Sequence, residues 1–245
     1  KPAKALFEVD RAQSTSKYNT LAVARSLYVR HNQVANKNSV MAYDAKANKD
    51  VEENIIPFLE KYPDTQFVFI MPCISILNTY DQCREGTVDD YFAIYKDIML
   101  RLLKYENVEI HMFADMAGFV DNLDNYKDRV HYSPAGGDLI VEGLQSGAYR
   151  ITRENIDARL QHQKALGQSF QISFLKQGFK GDDVRELKKQ LTVLGYQCND
   201  TIVYDQQTRD RVAEFQAEQH LNVTGIATAE TQALLQEMFD EAGRR

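Results

Sequence analysis

The sequence predicts two unlike parts: an α/β layered part over residues 1–168 and a small all-α part of three helices over residues 169–245. Three observations predict this. Gln66-Phe67-Val68-Phe69-Ile70-Met71-Pro72 and Val108-Glu109-Ile110-His111-Met112-Phe113 are strand-like apolar runs separated by a long helical stretch, an order that suits parallel pairing through a crossover. Gly167-Gln168-Ser169 reads as a seam. Beyond Leu175 the apolar residues recur at helical spacing in two half-similar units.

The bulk numbers fit a folded protein. Of 245 residues, 44% are hydrophobic and 26% charged, enough apolar content for a core and an ordinary charge content. The formal net charge is −6 and no Lys/Arg-rich run stands out, which argues against nucleic acid or an anionic membrane surface as the main partner. No stretch approaches the length of apolar chain that spans a bilayer. Lys1-Pro2-Ala3-Lys4 has no apolar run behind it and does not read as a signal peptide, so any export signal would lie upstream. There are three cysteines and no C-x-x-C, which argues against zinc; a Cys73–Cys83 disulfide and three free thiols both remain open. No cofactor is expected.

The elements follow in order. Tyr18–His31 carries Leu21, Ala24, Leu27 and Tyr28 at helical spacing. Asn32–Asn48 reads as loop. A helical stretch starts near Lys49 with Val51, Ile55, Phe58 and Leu59 on one face, and Pro57 should kink it or mark its first turn. Lys61-Tyr62-Pro63-Asp64 is a turn. The unbroken apolar run 66–72 predicts a strand covered on both faces. Val88–Tyr105 follows as a helix, with Tyr91, Ile94, Tyr95, Ile98, Leu102 and Leu103 in phase, then the second strand. Ser133-Pro134 opens a helix over about Ala135–Gln145, with Ser133 suited to the N-cap and Gly147 to the exit. Tyr149–Leu166 is a charged helical stretch that packs on the domain or connects it. Two strands are few for a parallel sheet, so the first part reads as the C-terminal portion of a longer domain or as one that completes its sheet with another chain.

In the second part, Val184, Leu187 and Leu191 share a helical face, with Asp182 and Asp183 where carboxylates favour the helix dipole. Gly195 ends that helix. Asp205–Gln219 carries a second helix around Val212, Phe215 and Gln216, and His220–Ile226 is a turn. Thr228 caps a third helix containing Thr231, Leu234 and Leu235. The text Gly181-Asp182-x-Val184-x-x-Leu187-x-x-x-Leu191-x-x-Leu194-Gly195-Tyr196, then Thr208-x-x-x-Val212-x-x-Phe215-Gln216, then Leu221-x-x-x-Gly225 and Thr231, resembles the peptidoglycan-binding domain type found on bacterial cell-wall hydrolases. The resemblance implies a three-helix fold that holds wall peptide or glycan in a shallow groove. Where that family often has Asp-Gly-x-Phe-Gly before the middle helix, this chain has Asn199-Asp200-Thr201-Ile202-Val203-Tyr204, so the loop that often shapes the groove differs.

One segment of the first part carries candidate chemistry. In Asn122–Pro134, Asp128 stands three residues before His131, in a loop after a strand and before a helix. A carboxylate so placed can fix the imidazole tautomer and stabilise the imidazolium that forms when the histidine takes a proton from a serine. The plainer reading is a loop pair that caps the helix. Asp128-x-x-His131-Tyr132-Ser133-Pro134 resembles the last sequence block of the SGNH hydrolase superfamily. Asn54-Ile55-Ile56-Pro57, Tyr62–Phe67, Pro72-x-x-Ser75-Ile76-Leu77 and Asn122–Asp128 are similar to the group with D-alanyl transfer and alginate O-acetylation proteins of the cell envelope. That resemblance implies a partial doubly wound, flavodoxin-like parallel sheet and a Ser–His–Asp site acting on acyl esters, with His131 as general base and Asp128 as its orienting partner. The nucleophilic serine of such a site stands in a Gly-x-Ser turn, and none is visible: Ser14, Ser16, Ser26 and Ser39 lack a preceding strand and glycine turn, Ser75 reads as a loop residue and Ser133 as a cap. His31, His111, His162 and His220 show no ligand spacing and read as surface or satisfied histidines, and Asp115 and Glu109 as solvated or strand-end residues.

Two functions follow. One is an extracytoplasmic serine esterase or O-acyltransferase of the periplasm or cell wall, held on peptidoglycan or another wall polymer by the small module, with part of its domain supplied upstream or by another chain. The other is a non-catalytic wall-binding scaffold or subunit of an envelope assembly. A wall hydrolase of another class is disfavoured, because no His/Asp metal cluster or Cys–His pair stands out.

Overall fold

The computed structural model describes residues 17–27 and 37–244, and these form two compact units, one of residues 17–26 and 37–170 and one of residue 27 and residues 171–244. The first unit is mixed helical with a two-stranded parallel sheet. Its elements are α1 (Thr20–Ser26), α2 (Lys37–Asp50), a π-helical turn (Val51–Ile55), α3 (Ile56–Lys61), β1 (Phe67–Met71), α4 (Leu77–Glu85), α5 (Val88–Leu102), β2 (Val108–Met112), a 3-10 turn (Leu123–Asn125), α6 (Pro134–Ser146) and α7 (Ile156–Ser169). The predicted Tyr18–His31 helix is seen as α1, and the reading beyond Leu27, His31 included, lies outside the described residues, as do Ser14 and Ser16.

β1 and β2 pair in parallel from Phe67↔Val108 to Met71↔Met112, with α4 and α5 as the crossover. β2 is flanked on its other edge by an antiparallel segment: Met112 N–H donates to Tyr149 O at 2.9 Å and Ile151 N–H to Ile110 O at 2.7 Å. β1 is different. Phe67 N–H donates to Asn107 O and Met71 O accepts from Phe113 N–H, so residues 67, 69 and 71 aim their backbone groups at β2. The backbone groups of Val68 and Ile70 therefore face the opposite edge, where no strand is paired among the described residues. Their side chains are 48% and 42% exposed, while Phe67, Phe69 and Met71 pack on the core. The expectation of a strand covered on both faces is thus corrected: Leu59, Phe92, Met99 and Leu160 of the helices form one core with the inward residues of β1 and β2, and among the described residues the other face of β1 is left open.

Other expectations are corrected for local reasons. Of Asn32–Asn48, read as loop, residues 37–48 belong to helix α2, which docks Tyr43 edge-on against Tyr91 and Tyr95 of α5, and residues 32–36 lie outside the described residues. Its end is tied by Lys46 to Asp50 at 3.0 Å, one turn on. The π-helical turn runs directly into α3, and Pro57 stands in the first turn of α3, where the wider π turn interrupts the α-helical pairing that its missing N–H could not continue. Gly167-Gln168-Ser169, read as a seam, forms the end of α7, and the division between the two units falls just beyond it, between residues 170 and 171. A Cβ on Gly167 would stand 2.7 Å from Thr79 Cγ2, so the glycine permits α7 to lie close on α4. Gln163 Nε2 donates to Thr79 Oγ1 at 2.8 Å in the same crossing.

The second unit consists of α8 (Asp182–Val193), α9 (Gln206–Glu218) and α10 (Ala229–Ala242) around Val184, Leu187, Leu191, Val212, Phe215 and Leu235. The predicted face of α8 is buried, Gly195 leaves it at φ 99°, and Thr228 caps α10 by accepting from Thr231 N–H. Asp205 caps α9 through Thr208 N–H.

Candidate functional site

In the first unit the connections at the carboxyl ends of β1 and β2 pack together, the side of a parallel sheet where ligands usually bind. Residues 113–133 form the longer connection. Tyr126 is fully buried within it, and its hydroxyl donates to Cys73 O at 2.7 Å. Burial pushes the Tyr126 phenol up, and it pushes the Cys73 thiol up to about 11, so neither titrates near neutral pH. Cys73, Cys83 and Cys198 are all free thiols.

Beyond Tyr126 the chain turns back on itself. Tyr126 and Tyr132 form an antiparallel bridge, and Lys127 N–H donates to His131 O. At the tip, Asp128 Oδ1 accepts Val130 N–H at 2.9 Å and His131 N–H at 2.8 Å. The same carboxylate grips the imidazole, with Nδ1 at 3.0 Å from Oδ1 and 2.8 Å from Oδ2. Burial alone would raise the Asp128 pKa, but the two backbone N–H groups and the His131 ring outweigh it and hold the carboxyl below its ordinary value. Arg129 clamps the turn to the β1 connection: its Nη2 donates to Leu77 O at 2.9 Å and to Asp81 Oδ2 at 2.7 Å, and its carbonyl accepts Ser75 Oγ at 2.6 Å. The carboxylate thus serves its own turn and the imidazole, not the following helix. Ser133 occupies the N-cap position of α6 with extended backbone but without a side-chain cap bond.

Three described histidines of this unit each have a carboxylate neighbour, and the geometry separates them. His111 Nε2 lies 2.5 Å from Glu109 Oε1, but the ring is 1% exposed and its Nδ1 is buried without a partner, out of reach of any substrate. Of the two readings of His111, surface or satisfied, the structure gives a buried ring held through one nitrogen by Glu109, which is itself partly buried instead of fully solvated. His162 Nδ1 stands 3.6 Å from an Asp115 carboxylate already held by Arg159, a pair that sequence spacing did not signal. His131, 64% exposed, is held through Nδ1 alone, and its Nε2 has no hydrogen-bond partner among the described residues. Only this ring has both a carboxylate that fixes its tautomer and an open nitrogen. The serines do not meet it: Ser75 is buried and committed to Arg129 O, and Ser26 and Ser39 lie in α1 and α2. No group of three or more His, Cys, Asp or Glu side chains among the described residues is arranged to hold a metal ion.

In the second unit the loops between helices are joined into one surface. Gly178 N–H donates to Tyr204 O and Tyr204 N–H to Phe179 O, Lys180 bridges Val203, and Leu175 pairs with Ala227. Gln216 is the hub of the next loop: its Oε1 accepts from Thr224 N–H and Gly225 N–H, both at 2.9 Å, and its Nε2 donates to Ile226 O at 2.8 Å. This buried glutamine shapes the surface from beneath. The Asn199–Tyr204 loop is built around the buried Lys188, whose Nζ donates to Asn199 Oδ1 and Thr201 Oγ1, both at 2.7 Å, with Asp205 Oδ2 at 3.7 Å. Nothing in the spacing of α8 marks Lys188, which follows the core residue Leu187 in sequence. Ile202 and Val223 stand exposed on these loops.

No helix among the described residues is long and apolar enough to cross a membrane. No curated protein and no solved structure matches the chain. Residues 180–235 match the family model described as "Putative peptidoglycan binding domain", which supports a peptidoglycan-binding domain over this segment and cell-wall binding by the protein.

Proposed function

We propose that this is an extracytoplasmic protein that the second unit holds on peptidoglycan, and that the first unit carries the acid–base half of an acyl-ester site. In this reading Asp128 orients His131, and His131 Nε2 takes the proton from a serine hydroxyl as that oxygen attacks the ester carbonyl, then returns it to the leaving alcohol. The observation that carries the reading is the two-oxygen grip of Asp128 on Nδ1 with the opposite nitrogen left open. The serine would come from chain outside the described residues, on a strand added to the open edge of β1; this would extend the sheet toward the doubly wound SGNH arrangement, with the domain running to about residue 168. Val68 and Ile70, exposed and with no strand paired to their edge among the described residues, support such an addition. Held on the wall, the site would meet its polymer at raised effective concentration.

The complete gene product should encode a Gly-x-Ser turn upstream of Lys1; its absence removes the enzyme reading for this polypeptide and leaves a wall-bound scaffold. In the complete enzyme, His131→Ala should lower acetyl-ester turnover by about 10²–10⁴-fold, the usual worth of a general base, while binding to peptidoglycan sacculi stays unchanged. Equal loss of both would contradict the division of labour.

A further inference from the structure

A cleft of about 310 Å³ opens in the first unit, lined by Asp115, Met116, Ala117, Tyr149, Arg159 and His162. It lies where the chain leaves β2, with α7 as its other wall. Its volume stands at the low end of the roughly 300–1,000 Å³ usual for ligand sites, so it suits a small group.

The polar chemistry of the cleft is one-sided. The Asp115 side chain is 2% exposed, and both of its oxygens are taken by the Arg159 guanidinium, through Nε and Nη2. Nη2 also donates to Met112 O at 2.7 Å, which ties the ion pair to the end of β2. The guanidinium lies over the Tyr149 ring at 5.5 Å, so its position is set from three sides. The acid of the cleft is therefore consumed within the protein. Among the described residues, Arg159 Nη1 has no protein partner, and neither does Nε2 of the half-exposed His162. What the cleft turns outward is a guanidinium N–H and an imidazole nitrogen that donates when it carries the ring's second proton, beside the small apolar surface of Met116 and Ala117.

We infer that this cleft binds the carboxylate of a small acidic ligand, with the carboxylate oxygens accepting from Arg159 Nη1 and His162 Nε2 and an adjoining methyl group against Ala117 and Met116. Guanidinium presents N–H groups in the geometry a carboxylate accepts, and the Asp115 bond holds it there before the ligand arrives. An α-methyl carboxylate has this form, and it occurs both as a lactyl group on a sugar and as an alanine terminus of a peptide. The inference does not depend on Asp128 and His131.

The test is titration of the full chain followed through the His162 imidazole resonances, with three probes: N-acetylmuramic acid, N-acetyl-D-alanine and, as a carboxylate-free control, N-acetylglucosamine. A saturable shift with the first alone identifies a sugar acid, with the second alone a peptide terminus, and with both a site that reads only the shared group. His162→Gln, at an exposed position, should weaken binding of the responding probe about tenfold, measured calorimetrically, while the thermal melt of the chain stays unchanged. No saturable shift from either acid, an equal shift from N-acetylglucosamine, or unaltered affinity in His162→Gln would overturn the inference.

Discussion

Asp128 holds His131 by both carboxylate oxygens, at 3.0 and 2.8 Å from Nδ1, while its Oδ1 also accepts the N–H groups of Val130 and His131 itself. One side chain thereby closes the turn and orients the ring. Rotating the imidazole to another partner would forfeit both of its Nδ1 contacts. Because its carboxyl is held below the ordinary value of 3.8, Asp128 stays charged across the pH range in which a histidine works.

Asp128→Asn should therefore separate shape from charge. The amide can keep the turn, yet the charge that would stabilise an imidazolium is gone, and turnover by the complete enzyme should fall by about 10²–10⁴-fold. In the wild-type chain, carboxyl-carbon NMR should show Asp128 titrating below 3.8. A folded-state value lowered below the unfolded one means that its contribution to stability is present above that pH and is lost as pH falls through the lowered value. A titration at or above the ordinary value would remove the two-oxygen grip.

Gly136 tests how tightly α6 seats the turn. A Cβ there would stand 2.6 Å from Tyr132 Cδ2, 2.9 Å from Phe119 Cζ and 3.1 Å from Cys73 Sγ, whereas a Cβ on Gly137 meets nothing within 4 Å. Gly136→Ala should destabilise the chain by about 1–3 kcal/mol through overpacking. Gly137→Ala should be neutral or stabilising by up to about 1 kcal/mol, since alanine favours helix. Thermal melts of the two variants compare them directly, and equal melting temperatures would contradict the packing described.

Asp205 combines a helix cap with the partner of a buried ammonium. Burial alone would raise its pKa, but the Asn199 amide, the N–H and hydroxyl of Thr208 and the charge of Lys188 bring it down to about 2. Asp205→Ala should remove about 1–2 kcal/mol of stability through the lost cap. With the folded value depressed, the deficit should be full above about 3.8 and should shrink as pH falls toward about 2. Amide exchange in α9 reads this, and a deficit independent of pH would show that the charge of Asp205 contributes nothing.

Gln216 lies buried beneath the Thr224–Ile226 loop of the second unit. Gln216→Ala leaves the N–H groups of Thr224 and Gly225 without their acceptor and should destabilise the second unit by about 1–3 kcal/mol. Binding to sacculi should weaken in step with the loop's disorder, followed by exchange at Thr224 and Gly225. Weakened binding with those amides still protected would instead place Gln216 in contact with the polymer.

How much was legible depends on the distance over which each feature is decided. The second unit was readable almost whole. The phases of Val184, Leu187 and Leu191, of Val212 and Phe215, and of Thr231 and Leu235 are local periodicities, and Thr228 caps its helix within one turn. The two strand runs were equally local, their parallel order followed from the helical crossover between them, and the Asp128–His131 pair was legible because both partners lie within a single turn. Residues 37–48 were missed because α2 depends on docking Tyr43 on α5 more than on an apolar stripe of its own.

By itself, then, the sequence determined the helical phases, the strand runs and the one catalytic candidate whose partners are neighbours along the chain. Only the tertiary structure decided that β1, among the described residues, keeps an open edge and an exposed face, that Gly167 is a crossing point between α7 and α4, that Lys188 carries the altered loop, and that Asp115, Arg159 and His162 share a cleft. The reason is physical. Periodicity and capping are set by bonds a few residues apart, whereas burial, ion pairing and close approach are set by which distant segments share a volume, and one residue's spacing carries no record of the neighbour that folding brings to it.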